Sequence, residues 1–388
     1  MKRIIKISVV VAVCLFISNA WAGFSGKTGM HFLKIAVGPR GIAMGEAQTA
    51  VSDDINGLYW NPAGLGRITD IEAHCMYNKW FQEIASQYVA GAVPIRKTTE
   101  DGIQKNYGTV ALAVNYLSVE PFQGYDAGGV PTSMVDSADM AVSAAYGRRL
   151  YRKIYGGITL KYLSERLDTV TATAFGADLG LLYPLDNGVS FGLAVQNLGT
   201  SMTFIDEAGS LPRTIKLGTG YTKDFFGQKF TAALDANMPN DNDMYFGGGV
   251  EYWIKDMIAV RTGYRTGIDI GSGLRAGLGI KASAFQLDYA FADYGDLGDT
   301  HRIGLSMRFG QGVKQDRVDV MYNRGEVYYN EARYSEAIIE FNKLLEIAPT
   351  HKKTLEMLKK SHEKLNQSIK EIKEQTKDQE IPKKTEKI

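Results

Sequence analysis

The chain has 388 residues, which is enough for one large domain and a small one. Its 44 Lys and Arg residues nearly balance 43 Asp and Glu residues, so the charge argues against nucleic acid or a strongly acidic partner. An aromatic content of 11% and 42 Gly residues favour a transmembrane β-barrel over a soluble globular domain, because aromatic girdles and close-packed strands use these residue types.

Residues 1–22 have the pattern of a secretory signal peptide. A positively charged start over 1–6 is followed by an apolar run over 7–17 and by the small-x-small motif Ala20-Trp21-Ala22. The mature chain would begin at Gly23. The apolar run is too short to span a bilayer as a helix, which needs about 20 residues, and no later stretch is long enough.

A Gly- and Ala-rich segment, Gly38–Gly66, follows. It carries the paired acids Asp53 and Asp54, and its small residues permit tight backbone packing against a surrounding wall. Pro62 forces the preceding residue out of the helical region, so a short helix should end near Trp60. Composition alone also fits a turn-rich N-terminal connector.

About fourteen segments with period-two alternation lie between Arg67 and Gly310, separated by turns rich in Gly, Asp, Asn and Pro. The predicted strands cover 69–78, 85–95, 107–118, 138–149, 154–166, 171–184, 188–197, 212–222, 228–237, 244–253, 257–266, 272–282, 284–292 and 299–309. An even number is typical of bacterial single-chain barrels and brings both ends of the barrel to one side. The predicted domain over 67–310 is therefore an all-β transmembrane barrel of about 14 antiparallel strands.

Charged residues stay on one face of these segments, and the other face is apolar. In the segment 257–266, for example, Ile258 and Val260 oppose Arg261. The late strands place six cationic residues on the charged face: Arg261, Arg265, Arg275, Lys281, Arg302 and Arg308. The pattern also fits a soluble β-sandwich. Because a lipid-facing Arg at the midplane would cost about 2–4 kcal/mol, strict separation of charge favours a barrel with its charges in the lumen.

Glycines recur on the same face, which suits an interior crowded by a plug; they are Gly157, Gly176, Gly180, Gly192, Gly218, Gly247, Gly249, Gly277 and Gly279. The six cationic residues have two interpretations. They can form a basic wall that attracts a carboxylate, as a fatty-acid conduit would need. We favour the other, in which they pair with Asp53, Asp54 or Glu46 of the N-terminal segment, because buried like charges need counter-charges.

Past Gly310 the periodicity becomes helical. Residues 318–349 fit one tetratricopeptide repeat, with helices near 318–330 and 334–347. The match rests on Gly325, Tyr328, Ala337, Phe341 and Pro349. A third helix near 351–372 would complete a module over 318–372, and a plain capping hairpin is the alternative. The tail over 373–388, rich in Lys and Glu, is predicted to be disordered.

The order G-x-R-x-x-x-M-G-x-A-x-T-A-V-x-D-D, followed by L-Y-W-N-P-A-G-L, resembles the N-terminal signature of the PorV/PorQ family. The residues that chiefly carry the resemblance are Arg40, Met44, Gly45, Asp53, Asp54, Trp60, Asn61, Pro62, Ala63 and Gly64. PorV/PorQ proteins are outer-membrane β-barrels similar to the FadL transporters of long-chain fatty acids. The resemblance implies that residues 23–66 fold inside the barrel as a hatch. Glu46 departs from the pattern, which has a second small residue there.

No catalytic, metal or cofactor site is predicted, because no motif joins a nucleophile to a base and the histidines do not converge. PorV-like proteins act in type IX secretion, so the resemblance implies a docking protein for export, whose helical repeat captures a protein partner. The alternative is a FadL-like transporter of long-chain fatty acids or other small hydrophobic compounds. In either case we expect a bacterial outer-membrane protein, in contact with lipid, with both termini in the periplasm.

Overall fold

The structure, a computed structural model, describes residues 28–81, 84–98, 104–204, 207–225, 228–309 and 314–378. Fourteen antiparallel strands form a closed barrel in which the first strand pairs with the last, from Ile71 opposite Phe309 to Lys79 opposite His301. A helical region follows the barrel. This confirms the predicted fold class. The predicted signal peptide over 1–22 lies outside the described residues.

The barrel strands are β1 (Ile71–Lys79), β2 (Ile84–Thr98), β3 (Gln104–Tyr125), β4 (Pro131–Tyr151), β5 (Ile154–Leu167), β6 (Val170–Pro184), β7 (Val189–Gly199), β10 (Thr214–Phe225), β11 (Gln228–Pro239), β12 (Tyr245–Ile254), β13 (Ile258–Arg265), β14 (Leu274–Ala282), β15 (Phe285–Asp293) and β16 (Asp299–Phe309). A separate two-stranded sheet, β8 (Met202–Phe204) with β9 (Glu207–Gly209), lies between β7 and β10. Each barrel strand overlaps one predicted strand. We call the end where β1 begins and β16 ends the lower end, and the opposite end the upper end.

Two strands are much longer than the alternation predicts. β3 and β4 pair from Thr109 opposite Gly147 to Tyr125 opposite Pro131, with register shifts on either side of Phe122. Residues 131–140 are exposed or half-buried on both faces. Alternation marks a strand where one face is buried, so it fades in this part although the backbone pairing continues.

Side chains alternate between an apolar outer face and a filled interior, as the sequence predicts. In β14, Leu278 is 52% exposed and Ile280 is 57% exposed, whereas Arg275 of the same strand is 0% exposed. The same alternation runs through β5 and β6. An exposed apolar outer face is what a barrel presents to a bilayer, where lipid takes the place of water.

The N-terminal segment from Thr28 to Ile68 fills the interior and is called the hatch below. Two short helices, α1 (Pro39–Ala43) and α2 (Gly57–Trp60), alternate with two 3-10 helices, His31–Lys34 and Pro62–Arg67. α1 packs on β13, β14 and β15, and the second 3-10 helix packs on β4, β5 and β6. α2 ends at the predicted residue, because Asn61 before the proline is extended, with φ −156°.

Inward-facing glycines of the wall make room for the hatch backbone. A Cβ atom on Gly249 would lie 2.5 Å from the carbonyl oxygen of Met44, and one on Gly277 would lie 2.5 Å from the Cβ of Ala43. Glycines that meet the hatch in the same way are Gly157, Gly180, Gly192, Gly218 and Gly247. A plug therefore crowds the interior, as the glycine pattern indicates. Gly176 and Gly279 lie against other wall residues instead.

The C-terminal unit consists of α3 (Lys314–Asn330), α4 (Tyr334–Ile347) and α5 (Lys352–Asp378), with α4 packed against both of the others. The prediction of disorder is wrong for residues 373–378, which continue α5. These positions hold the helix formers Lys, Glu and Gln, and the first helix breaker, Pro382, comes later. Residues 379–388 lie outside the described part. No helix in the described ranges is long and apolar enough to cross a membrane.

Candidate functional site: the barrel interior

Hydrogen bonds from the wall hold the hatch at two places. Asp235 of β11 accepts bonds from the backbone N–H groups of Gln48 (2.9 Å) and Thr49 (2.8 Å) and from the Thr49 hydroxyl (2.6 Å). The Asn61 amide donates to the carbonyl of Thr49 (2.7 Å) and to that of Leu181 in β6 (3.1 Å). These bonds satisfy polar groups that the hatch buries without regular secondary structure of its own. Pro62, Ala63 and Gly64 follow, all buried in the second 3-10 helix.

The turn after α1 explains the Met-Gly pair of the motif. Gly45 (φ 65°) and Glu46 (φ 67°) both adopt the left-handed conformation, so the turn forms although its second residue is not small. A side chain in this region costs about 1–2 kcal/mol. The Glu46 carboxylate contacts the Arg265 guanidinium of β13 at 2.9 Å, which offsets part of this cost. Met44 before the turn is fully buried.

Six residues form what we call the lower ion-pair network: Arg40, Asp53, Asp54, Glu251, Arg261 and Asp288. Glu251 of β12 lies between two guanidinium groups, with Arg40 of the hatch at 2.9 Å and Arg261 of β13 at 2.6 Å. Arg40 also contacts both hatch acids, and Arg261 also contacts Asp288 at 2.6 Å. Burial would raise the pKa of Asp53, but Arg40, Lys229 and Arg67 together outweigh burial, so this pKa lies below its usual value.

A wall acid, Glu72, also binds the hatch near the lower end. Glu72 of β1 contacts Arg308 of β16 at 3.0 Å, and its other oxygen accepts the backbone N–H of Ile55 at 2.8 Å. Two wall acids, Glu72 and Glu251, therefore bind the hatch here, and Lys229 of β11 contacts the hatch acid Asp53 at 3.6 Å. Ion pairs and hydrogen bonds thus fix the hatch to the lower wall.

Four cationic residues surround one acid in the upper interior. We call Lys216, Arg265, Arg275 and Arg302 the upper cation cluster. Burial would raise the pKa of Glu46, but Arg265, followed by the other three, offsets burial, so this pKa lies below its usual value. Among the described residues, no carboxylate lies within 4.0 Å of a nitrogen of Lys216, Arg275 or Arg302.

Aromatic rings take the place of these missing carboxylates. The Arg302 guanidinium lies 5.0 Å from the Trp80 ring centre, and that of Arg275 lies 4.8 Å from the Tyr294 ring centre. The Lys216 ammonium lies 4.7 Å from the ring of Trp60 in the hatch motif. Cation–π contacts offset only part of the cost of burying a charge. The Nε atom of Arg302 and the Nε and Nη2 atoms of Arg275 have no hydrogen-bond partner.

Each end of the interior also holds a polar cavity. The upper cavity, of about 60 Å³, is lined by hatch residues that include Glu46 and Tyr59 and by wall residues that include Lys216 and Arg265. The lower cavity, of about 230 Å³, borders Arg40 and other charged residues. Small polar groups fit both cavities better than large apolar ones do.

The predicted basic wall is two separate groups. Arg265, Arg275 and Arg302 lie near the upper end, whereas Arg261, Arg308 and Lys281 lie in the lower part, where each contacts a wall or turn carboxylate. The favoured pairing with hatch acids holds for Arg265 alone. The reason is that Asp53 and Asp54 are taken by Arg40 within the hatch itself.

Sequence reasoning missed the acids of the wall and one lysine. Glu72, Asp235 and Glu251 occupy inward-facing strand positions, as does Lys216. The signal that could have found them was the same alternation that placed the arginines. Applied to acids as well as bases, it would have supplied the counter-charges from the wall.

The repeat residues occupy the packed face of the C-terminal unit. Ala337 and Phe341 of α4 are fully buried, and a Cβ atom on Gly325 of α3 would clash with the Phe341 ring. Tyr328 stacks under the guanidinium of Arg333, which lies 4.4 Å from its ring centre. Pro349 follows the end of α4.

Comparison with known proteins gives one family match and several solved structures. The tetratricopeptide repeat family matches residues 318–351. The Ralstonia pickettii toluene transporter TbuX is 14% identical, with a TM-score of 0.50, over 71% of this chain and 99% of that chain. The CymD monoaromatic hydrocarbon channel is 12% identical, with a TM-score of 0.48, over 72% and 99%. The Pseudomonas putida toluene transporter TodX is 12% identical, with a TM-score of 0.47, over 74% and 98%. No curated protein matches the chain.

At 14% identity, the likeness to TbuX shows a shared barrel fold and nothing about the compound carried. The predicted repeat is confirmed by the family match, and the FadL-like barrel is supported at the level of fold. The PorV/PorQ assignment is not shown and stays a prediction. This chain is thus similar in fold to outer-membrane transport barrels and carries a tetratricopeptide repeat after its barrel.

Proposed function

We propose that this protein is an outer-membrane transporter for small hydrophobic compounds that end in a carboxylate, such as long-chain fatty acids. The compound would enter at the upper end, with the acidic group bound by the upper cation cluster and the hatch acting as the gate. The lower end, where β1 begins and β16 ends, would then face the periplasm. The fold shared with TbuX, a toluene transporter by its description, supports transport of hydrophobic compounds in general.

The observation that carries the carboxylate is the pair Arg275 and Arg302. Both side chains are fully buried, and neither has an acidic partner among the described residues. An unpaired buried guanidinium is costly, so a site of this kind favours an anion that supplies the missing hydrogen bonds. Trp80 and Tyr294 beside them offer apolar surface to the chain that follows the carboxylate.

The hatch would control passage from this site. It fills the interior against inward glycines, and the lower ion-pair network ties it to the wall, so passage requires the hatch to shift or to unfold locally. Ligand binding at the upper cluster changes the charge balance around Glu46, which is the hatch acid that contacts Arg265. Release of Glu46 would loosen the upper part of the hatch first.

The proposal is tested by titrating the full-length protein in dodecyl maltoside micelles with radiolabelled oleate and, separately, with oleyl alcohol. Hydrogen bonds to charged groups contribute about 1.5–3 kcal/mol, so Arg302→Met should weaken oleate binding about tenfold or more. Binding of oleyl alcohol should not change. Arg166→Gln is the control, because Arg166 is an exposed arginine paired with Asp136. Unchanged oleate affinity in the double variant Arg275→Met, Arg302→Met would overturn the proposal.

A second candidate function, docking in protein export, is favoured by one observation, the tetratricopeptide repeat over 318–351. Such repeats present surfaces to peptides and proteins. Deletion of residues 318–388 should then abolish a stoichiometric protein partner, seen by native mass spectrometry of the protein extracted from its own outer membrane, and leave barrel insertion intact. Loss of insertion, or absence of any stoichiometric partner from the full-length protein, would contradict the docking function.

A further inference from the structure

The outer wall carries an apolar groove at the lower end, across β4, β5, β6 and β7. Its volume is about 510 Å³, and it is lined by outward-facing side chains that include Leu150, Ile158, Leu179 and Leu181. The depression exists because Gly156, at an outward-facing position between these residues, has no side chain to fill it. The groove lies outside the barrel and is separate from both interior cavities.

A strongly basic turn lies at the edge of this groove. Within six residues, the end of β4 and the turn to β5 carry Arg148, Arg149, Arg152 and Lys153. Arg148 lines the groove itself. Lys153 contacts Asp186, but no carboxylate lies within 4.0 Å of the three arginines in the described part of the chain.

The other lower-end turns that the structure describes do not share this charge. Residues 185–188 hold one acid and no base, residues 255–257 hold one lysine beside Asp256, and residues 283–284 hold neither. A general attraction to the membrane surface would not need the basic residues to be concentrated in one turn. The basic turn is therefore a local feature that lies beside the apolar groove.

We propose that the groove and the basic turn together bind one anionic phospholipid of the leaflet at the lower end. An acyl chain would lie in the groove, and the phosphate would contact Arg148, with Arg149 and Arg152 adding positive charge. Guanidinium groups bind phosphate oxygens through two hydrogen bonds, and unpaired basic residues beside apolar wall surface attract anionic head groups. Tyr146 and Tyr151 flank the basic turn, as aromatic residues do at a membrane interface. The inference rests on the membrane placement of the barrel and is independent of what the lumen carries.

The test is native mass spectrometry of the full-length protein in dodecyl maltoside, titrated with dioleoyl phosphatidylglycerol or with dioleoyl phosphatidylcholine. The acyl chains are identical, so the difference reports the head group. We expect the first bound phosphatidylglycerol to be held at least tenfold more tightly than phosphatidylcholine. Arg148→Gln combined with Arg149→Gln should remove this preference, whereas Gly156→Leu, which fills the groove, should weaken both lipids.

Arg166→Gln is the matched control, since it removes an exposed arginine from β5 at the opposite end of the barrel. It should keep the lipid preference. All the altered arginines are exposed, so the variants should insert and fold, which a heat-modifiability gel verifies. Equal affinity of the unaltered protein for the two lipids would overturn the proposal. An undiminished preference in the double arginine variant, or an equal loss in Arg166→Gln, would overturn it too.

Discussion

The two ends of the barrel interior bury arginine in opposite ways. In the lower part, Arg40 and Arg261 share Glu251, and each has a further carboxylate partner. In the upper part, Arg275 and Arg302 are just as deeply buried but face aromatic rings and backbone carbonyls. Each buried arginine of the lower part thus has carboxylate partners, whereas Arg275 and Arg302 of the upper part have none among the described residues.

This difference separates structural charge from charge that is available to a ligand. Removal of one partner from a buried ion pair typically costs about 3–5 kcal/mol, because the other charge stays buried alone. Removal of a charge that is already alone carries no such penalty. Loss of one charge should therefore lower stability strongly at the lower end and little at the upper end. The lower charges would then serve the structure, and the upper charges would be available to a ligand.

The largest effect on stability is expected from Glu251→Gln, which disrupts the lower ion-pair network. This change leaves both Arg40 and Arg261 without their shared carboxylate, and we expect it to lower the free energy of unfolding by about 3–5 kcal/mol. The measurement is urea unfolding in detergent micelles, followed by tryptophan fluorescence.

The control for this variant is Asp256→Asn, at the same end of the barrel. Asp256 also forms an ion pair, with Lys281 at 2.7 Å, but its side chain is 71% exposed. Exposed pairs contribute about 0–1 kcal/mol, so the control should barely change stability. Equal losses of stability in the two variants would show that the lower ion-pair network does not hold the hatch to the wall.

An intermediate effect is expected from Gly249→Ala, which tests the hatch fit in the middle of the barrel between the two ends. The new methyl group would meet the backbone of Met44 at 2.5–2.6 Å, and overpacking of this kind costs about 1–3 kcal/mol. The neighbouring Gly248→Ala faces outward and meets nothing closer than 3.4 Å, so it should stay within about 0.5 kcal/mol of the unaltered protein in the same urea experiment. If Gly248→Ala is the more harmful of the two, the hatch does not occupy the interior in this way.

The smallest effect on stability is expected from Arg302→Met at the upper end. The change removes an unpaired buried charge and keeps a long apolar chain, so the free energy of unfolding should shift by less than about 1 kcal/mol in either direction. Urea unfolding of this variant, run beside Glu251→Gln, makes the comparison direct. A loss as large as that of Glu251→Gln would mean that Arg302 is part of a structural network and that the two ends do not differ.

Much of the barrel could be read from alternation, because a strand with one face in lipid and one against a hatch must separate apolar from polar residues. The segment 257–266 shows this: it became β13, with Val260 outside and Arg261 inside. The outer parts of β3 and β4 could not be read in this way, since neither face is buried there. The strands β8 and β9 are too short for a periodicity to be recognised in the sequence.

The candidate site was predicted in part. The inward placement of the arginines followed from strand parity, and the hatch followed from the resemblance of its motif. The pairing of those arginines did not follow, because parity tells which face a residue occupies but not its height relative to strands several positions away. Arg261 and Arg302, both inward, therefore meet Glu251 in one case and Trp80 in the other.

By itself, the sequence determined the number of strands, the face of each side chain, the presence of a small-residue segment that needs a surrounding wall, and the helical repeat. These depend on local periodicity, which a single chain displays directly. The tertiary structure alone decided which charges meet. Barrel closure and the path of the hatch bring together residues more than 200 positions apart, such as Arg40 and Glu251, and leave Arg275 and Arg302 beyond the reach of every described acid.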